Sequence, residues 1–401
     1  MSFDASAGKV AERLGECEFV RIFAHHDADG VAAASIIAHA LFRAGIGFQI
    51  RIKPRMTADE IPSGEDVLLC DFGSTIADLA EDVMVVDHHM PRFEGEWHAN
   101  PRLHHIDGDR EVSSAGTAYF VARHLGENRD LAGLALIGMI GDGQTCIGPN
   151  GEICSDAIAN GIVTPRRGLR LFGRDAAEQI AIALSPYFPG LSGDESAAAE
   201  LAAECGAKDA GCLLSRVILE IAPEASAKAL AGIYGDTYEL EREVVHDAHT
   251  LSALVDACGQ AGKGGLAASL CLRSRESLEE AWTVATAYRS DVINAIRSVR
   301  RIDRDTPVYE VEESRVLRGV ADALAYDIAP GTPLAVIART DDGYKVSVRC
   351  SREGTHDADA IARICAERCT GTGGGHRSRA GMIIPAEARE CFVREFAGAI
   401  G

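Results

Sequence analysis

Short apolar runs alternate with stretches of helical periodicity along the first half of the chain, and this alternation sets the expected fold class. The run from Glu18 to Ala24 is strand-like and ends in a polar cluster, after which Gly30 to Arg43 places small and apolar residues at helical spacing. Phe48–Ile52, Asp66–Cys70 and Val83–Val86 are further short apolar runs, each closed by polar residues or glycine, and they read as strands. Ser113–Leu125, Leu131–Ile140 and Asp175–Leu184 carry the period of helices. Strands and helices in this order imply a mostly parallel sheet, with chemistry at the carboxyl ends of the strands.

From about Asp194 to Ala261 the pattern turns helical and acidic, and runs such as Glu195–Ala203 show no strand signal. A long helix over Ser277–Ile302 then leads into a second alternating region. There Val308–Val311, Leu334–Arg339 and Tyr344–Arg349 read as strands, Asp357–Arg368 and Ala386–Ala399 as helices, and Asp341-Asp342-Gly343 as a hairpin turn. The expected architecture is α/β: an N-terminal parallel-sheet domain over 1–190, a helical connector or insertion over 191–276, and a smaller C-terminal α/β domain over 277–401.

Composition adjusts this picture in three ways. With 401 residues, 47% of them hydrophobic, the chain is long enough for two cores. Its twelve cysteines are scattered without zinc-ribbon spacing, so they are expected to be reduced thiols in a cytoplasmic protein, with Cys365 and Cys369 packing on one helix face. No targeting pattern opens the sequence, and no stretch approaches the roughly twenty apolar residues of a membrane span. A net charge of −20 argues against a duplex binder that works through a broad basic face, so any nucleic acid must be held locally.

The chemistry-bearing residues stand where the expected strands end: His25-His26-Asp27-Ala28-Asp29-Gly30, Asp71-Phe72-Gly73, Asp87-His88-His89 and Gly141-Asp142-Gly143. A single polar cluster after a strand is ordinarily a helix cap. Four in succession, placed to converge on one crevice, are not explained by capping. Carboxylates and imidazoles are ligands for hard divalent ions, and a carboxylate can bridge two of them. Two such ions about 3.5–4 Å apart can clamp a phosphate.

This series of motifs resembles that of the DHH phosphoesterase superfamily, whose members include RecJ-type exonucleases, oligoribonucleases and family II pyrophosphatases. Asp87-His88-His89 is the motif that gives the family its name. Gly373-Gly374-Gly375-His376-Arg377 is similar to the glycine-rich signature of the DHH-associated domain, and Ser113-Ser114-Ala115-Gly116-Thr117 also resembles its family counterpart. The resemblance implies that His25, Asp27, Asp29, Asp71, His88 and Asp142 hold two Mn²⁺ ions, with Mg²⁺ or Co²⁺ as substitutes, and that Asp71 bridges them. His26 stays open as an alternative to His25, because family motifs differ in where the histidine stands. Asp87 would orient a neighbouring histidine and His89 would face the phosphate, which with Asp71 and Asp142 makes the catalytic set. Arg349, Gly373, Gly374, Gly375, His376 and Arg377 would bind substrate.

What the resemblance implies for function is a Mn²⁺-dependent exonuclease acting on single-stranded DNA or RNA, of the RecJ-like archaeal type, in repair or replication. Its expected partners are short or single-stranded oligonucleotides, a repair helicase or replication protein, and further copies of itself. Two alternatives stay open. One is an oligoribonuclease, cyclic-dinucleotide phosphodiesterase or 3′,5′-bisphosphate phosphatase; the other is a non-catalytic scaffold of a replication complex.

Overall fold

A helix absent from the sequence expectation opens the chain. In α1 (Phe3–Gly15) the buried residues Phe3, Ala7, Val10, Ala11 and Leu14 recur at helical spacing, and Ser2 caps the first turn. The computed structural model describes residues 2–76, 78–205, 210–328, 331–351 and 354–401. After α1 come β1 (Phe19–His25), α2 (Ala28–Ala44), β2 (Gly47–Lys53), β3 (Val67–Cys70), β4 (Met84–Val86) and β5 (His98–Ala99). Next are α3 (Ser114–Leu125), α4 (Ala132–Gly141), α5 (Gly148–Ala159) and β6 (Val163–Leu169). Four helices follow, α6 (Ala176–Ala181), α7 (Glu195–Cys205), α8 (Ala210–Ile221) and α9 (Ala227–Gly232), and then β7 (Tyr234–Leu240), which pairs with β6. α10 (Ala248–Gln260), α11 (Gly264–Cys271) and α12 (Leu278–Ser298) precede β8 (Arg300–Arg301), β9 (Val308–Val311) and α13 (Leu317–Ala323). The chain closes with β10 (Leu334–Thr340), β11 (Gly343–Arg349), α14 (Ala358–Arg368), β12 (Thr372–Gly375), β13 (Arg379–Ile384) and α15 (Arg389–Ile400).

Two compact units divide these elements. Met1–Arg166 with Asp236–Ala285 forms one, and Arg167–Gly235 with Thr286–Gly401 forms the other. The segment expected as a single helical connector is therefore shared between both units. Its strand β7 was missed because Tyr-Gly-Asp-Thr-Tyr-Glu-Leu mixes polar residues and a glycine into the apolar positions.

The first unit is built on a parallel sheet in the order β2-β1-β3-β4-β5. Every residue of β3 and β4 is buried, as expected of parallel strands covered on both faces. One face carries Phe23, Leu69 and Val85, packed with Met56, Val67 and Val83. Successive residues of a strand alternate, so Ile22, Leu68 and Met84 belong to the opposite face. Because the chain runs from β1 outward to β2 and then returns to β3, the carboxyl ends of β1 and β3 meet at the point where winding reverses, where ligands of such sheets sit. In the second unit a mixed sheet in the order β12-β13-β11-β10-β9-β8 packs Ile337, Val346 and Met382 against Ile361, Phe392 and Phe396. No helix among the described residues is long and apolar enough to cross a membrane.

The expectation of reduced cysteines is corrected. Cys146 is joined to Cys154 and Cys205 to Cys212, while the other eight cysteines are free and all but Cys391 are buried. Both bridges are local, closing onto or between helix ends, and short local pairs leave no pattern among scattered cysteines. Cys365 and Cys369 do pack into the second core.

An ion-pair cluster ties four segments of the first unit together. Arg43, in the last turn of α2, holds Asp130 bidentately at 2.7 and 2.8 Å, and Arg273 reaches Asp130 at 3.0 Å and Glu243 at 2.9 Å. Burial would raise the Asp130 carboxyl, but the two arginines outweigh it and hold the group at about 2, whereas the more deeply buried Glu243 stays raised despite its one arginine. Asp130→Asn is expected to cost roughly 1–2 kcal/mol near neutral pH, less than the full shift implies because the carboxylate is 30% exposed. The folded value lies below the unfolded one of about 4, so this stabilisation is complete above about pH 4 and disappears as pH falls towards 2. Urea unfolding of both proteins across the acid range checks it; a stability gap that does not narrow on acidification removes the ion pairs as its source.

Candidate metal centre

Three neighbouring strands of the first sheet end in the site. β1 ends on His25, β3 runs into Asp71, and β4 runs into Asp87-His88-His89. Asp71 has a left-handed backbone, φ 61°, which costs a non-glycine residue roughly 1–2 kcal/mol. Its amide donates to the Val86 carbonyl at 2.9 Å and its Oδ1 accepts from Ser114 Oγ at 2.9 Å, so both ends of the residue are held. The first turn of α2 adds Asp27, which caps the helix by accepting from the Gly30 amide, and Asp29.

Asp29 is seated on the N-terminus of α3. Its two oxygens accept from the amides of Ser114 at 2.7 Å and Ala115 at 2.9 Å, an arrangement that stabilises an anion through the unpaired donors of a helix start. Helix α4 passes close behind and delivers Asp142 at its C-cap. That approach requires Gly138, since a Cβ there would lie 2.4 Å from Asp29 Oδ1.

The side chains form two groups that share Asp71. His25 Nδ1 lies 3.0 Å from Asp27 Oδ1 and 3.2 Å from Asp71 Oδ2. His88 Nε2 lies 3.3 Å from Asp142 Oδ2, 3.4 Å from Asp71 Oδ1 and 3.8 Å from Asp29 Oδ2. One oxygen of Asp71 thus faces each group. His26 stands outside both, with its ring 4.7 Å from that of His25.

Asp87 works differently. Its Oδ1 accepts from the amides of His88 and His89 and from His89 Nδ1 at 2.7 Å, and its Oδ2 accepts from the Ser74 amide. Burial would raise its carboxyl, but these donors and the two imidazoles hold it far below the usual carboxylate range. Asn100 Nδ2 donates to Ser74 Oγ and to the His89 carbonyl, Ser74 Oγ shares a hydrogen bond of 2.8 Å with His98 Nε2, and burial lowers His98 to about 4. His89 is therefore fixed through Nδ1, and its side chain is 19% exposed where that of His88 is 1% exposed.

Burial, followed by the nearby Asp142 and Asp71, raises the Asp29 carboxyl well above its usual range. The imidazole of His25 is raised as well, for a different reason: burial would lower it, but Asp27 and Asp71 outweigh burial and raise it to about 10. His25 Nδ1 is a buried atom without a hydrogen-bond partner despite two carboxylate oxygens close by. An imidazole nitrogen and carboxylate oxygens converging without hydrogen-bond geometry fit a divalent cation, which would take the place of the imidazole proton.

Residues 19–139 match the family model of the DHH family N-terminal domain, and residues 308–401 match the DHHA1 domain. The chain belongs to the DHH family. It is a metal-dependent phosphoesterase of that family. An uncharacterized protein of Methanocaldococcus jannaschii is 25% identical over 97% of this chain and 94% of its own length. RecJ from Thermus thermophilus, crystallised in complex with Mn²⁺, is similar in structure at TM-score 0.61 with 17% identity over 99% of this chain. CDC45 from Entamoeba histolytica has TM-score 0.63 with 10% identity, over 99% of this chain and 98% of that chain. These two likenesses are of fold, and this chain covers 54% of the Thermus RecJ chain.

The DHHA1 region of this DHH protein carries the residues expected to bind substrate. Arg349, at the end of β11, is buried; its Nε donates to Asp322 at 2.5 Å and its Nη1 to Ser347 Oγ at 2.8 Å and to the Val348 carbonyl at 3.0 Å. Gly373, Gly374 and Gly375, with Thr372, form strand β12 at the sheet's edge. Gly373, Gly374 and Gly375 pair with Met382, Gly381 and Ala380 of β13, and a Cβ on Gly373 would fall 2.8 Å from that of Met382. Beyond them the His376 amide donates to the Arg379 carbonyl at 2.7 Å, and Arg377 Nη2 donates to the Gly354 carbonyl at 3.4 Å.

Sequence reasoning missed the parts that hold the ligands. The amides of Ser114 and Ala115 act through the backbone, which carries no residue signature; only the likeness of Ser113–Thr117 to a family motif pointed there. Ser74, Asn100 and Gln144 gave no signal. Gly138→Ala is expected to press a methyl group onto Asp29, lowering stability by roughly 1–3 kcal/mol and weakening Mn²⁺ binding while helix content is retained. Calorimetric titration with Mn²⁺ checks this, and affinity equal to wild type would remove Asp29 from the ligand set.

Proposed function

We propose that this DHH protein is a Mn²⁺-dependent exonuclease that hydrolyses phosphodiester bonds in single-stranded DNA or RNA. One observation carries the reading: Asp71 turns one carboxylate oxygen towards the His25–Asp27 group and the other towards the Asp29–His88–Asp142 group. His25, Asp27 and Asp71 would hold one ion, and Asp29, Asp71, His88 and Asp142 the other. Ions bound there would supply an activated water and positive charge for the phosphoryl oxygens.

The chain's own residues supply the remaining work. Asp87 holds His89 by Nδ1 and, outweighing burial, raises its imidazole above the ordinary range, so that in the protonated ring Nε2 is the nitrogen that would donate to a phosphate oxygen. As Asp87 also accepts three amide donors, it orients His89 without taking its proton. In the DHHA1 region Arg318, Arg349 and Arg379 act together on Asp322; burial would raise that carboxyl, and the three arginines outweigh it and lower it. Arg349 and Arg379 are cross-strand partners, and such an arginine concentration beside the edge strand β12 suits a polyanionic substrate. Arg349, Gly373–Gly375, His376 and Arg377 are proposed to contact the strand.

A phosphodiesterase restricted to dinucleotides or very short RNA shares every feature of the metal centre, so substrate length separates the two readings. Incubation with Mn²⁺ and end-labelled strands of two, five and twenty nucleotides is expected to give a ladder from the longest. Turnover confined to the dinucleotide would overturn the exonuclease reading. Asp71→Ala and Asp142→Ala are each expected to lower the rate by at least about a hundredfold. Cleavage by both variants at the wild-type rate would show that the reaction lies elsewhere.

A further inference from the structure

Gln144 lies two residues beyond Asp142, in the loop between α4 and α5, and is buried. A neutral amide cannot compete with carboxylates for a hard cation, and the proposed chemistry gives it no part. Its contacts are nevertheless aimed at the metal centre. Gln144 Nε2 donates to the Gly108 carbonyl at 2.9 Å, and the same carbonyl accepts from His88 Nδ1 at 2.6 Å. Two donors on one carbonyl oxygen occupy both of its lone pairs and fix its direction.

This carbonyl decides which nitrogen of His88 carries the proton. Gly108 O can only accept, so Nδ1 is protonated, and the lone pair lies on Nε2, the atom facing Asp29, Asp71 and Asp142. The amide of Gln144 is itself oriented, because Asn150 Nδ2 donates to Gln144 Oε1 at 2.8 Å and Asn150 is buried on α5. Gly108 is where such a contact must be made without a side chain: a Cβ would fall 2.2 Å from the His88 carbonyl. Arg102 Nε already holds that His88 carbonyl at 2.8 Å, so the main chain of His88 has its own anchor and the Gln144 contact acts on the imidazole.

Resting on the two-ion reading above, we infer that Gln144 is a positioning residue for the second ion: through the Gly108 carbonyl it sets the tautomer and tilt of His88 and couples that ligand to the loop carrying Asp142. Asn150 supports it one step further out. The loop is independently closed by the Cys146–Cys154 disulfide and by the Gln144 amide donating to the Met139 carbonyl, so replacing the side chain alone leaves two fastenings in place.

The test uses the full chain and Mn²⁺ alone, with free Mn²⁺ followed by electron paramagnetic resonance. Gln144→Met, similar in volume and without donor or acceptor, is introduced into Asp27→Asn, which leaves the Asp29–His88–Asp142 group intact, and into Asp142→Asn, which leaves the His25–Asp27 group intact. Removing an outer hydrogen bond to a ligand histidine commonly weakens metal binding by about ten- to a hundredfold. That loss is expected in the Asp27→Asn background, with less than about a threefold change in the Asp142→Asn background. Asn150→Ala, a milder change, is expected to shift affinity in the same direction by a smaller factor. Equal affinity with and without Gln144→Met in the Asp27→Asn background would overturn the inference, as would equal losses in both backgrounds, which would mark a general structural role. Failure of the unmutated chain to bind a second Mn²⁺ would instead overturn the two-ion reading itself.

Discussion

Burying several carboxylates at one end of a sheet is the constraint that organises this molecule. Asp27, Asp29, Asp71 and Asp87 are each under a tenth exposed, and a buried charge is tolerated only when paired or well hydrogen-bonded. Asp87 meets that condition within the protein, through three amides and an imidazole. Asp29 meets part of it at the start of α3. Asp27 accepts from the Gly30 amide and Asp71 from the Ser114 hydroxyl, and both also face His25 Nδ1, which makes no hydrogen bond and would meet a cation as readily as they would. The fold is thus arranged around a place where positive charge from outside is wanted. The left-handed turn at Asp71 and the close passage of α4 at Gly138 are local costs accepted to make that place.

Much of this was readable in sequence because the reading depends on side-chain type and on strand burial. β1, β3 and β4 are covered on both faces, so they stand out as apolar runs, and the residues that end them are those whose chemistry needs to be there. Elements that escaped lack that contrast. β5 spans only two residues, β6 includes Pro165 and two arginines, and β12 is almost all glycine. Their strand character comes from the strands they pair with, such as β7 beside β6 and β13 beside β12, and no propensity of the run itself encodes it. The supporting groups escaped for a related reason: the Ser114 and Ala115 amides and the Gly108 carbonyl are backbone, and Gln144 differs from any surface glutamine only in its surroundings.

Arg349 shows the limit of reading a residue's role from its position. Its place at the end of β11 was legible, and so was its charge. What the chain order did not show is that α13 brings Asp322 to it, so that most of the guanidinium's donors are spent inside the second unit. A cation held in this way is rigid, and rigidity suits an arginine meant to present one remaining edge to an anion. The buried pair therefore constrains the direction from which such an arginine could meet an anion.

The nature of the donors also restricts which cation fits. Cys70 directly precedes Asp71, and a thiolate there would favour a soft or borderline ion such as zinc. Burial, followed by the fields of Asp71 and Asp87, pushes that thiol well above its ordinary range, and among the described residues the groups of converging ligand atoms are built from histidine and aspartate alone. A bound cation would relieve the carboxylates' contribution, but burial is the larger cause and persists whatever occupies the site. What remains is an oxygen-rich set with two imidazoles, the combination that suits manganese or magnesium, and hard ions of that kind are matched to the oxygens of a phosphate ester. The sheet that buries Cys70 and the left-handed turn that aims the carboxylate of Asp71 at both histidine groups one residue later together select the chemistry.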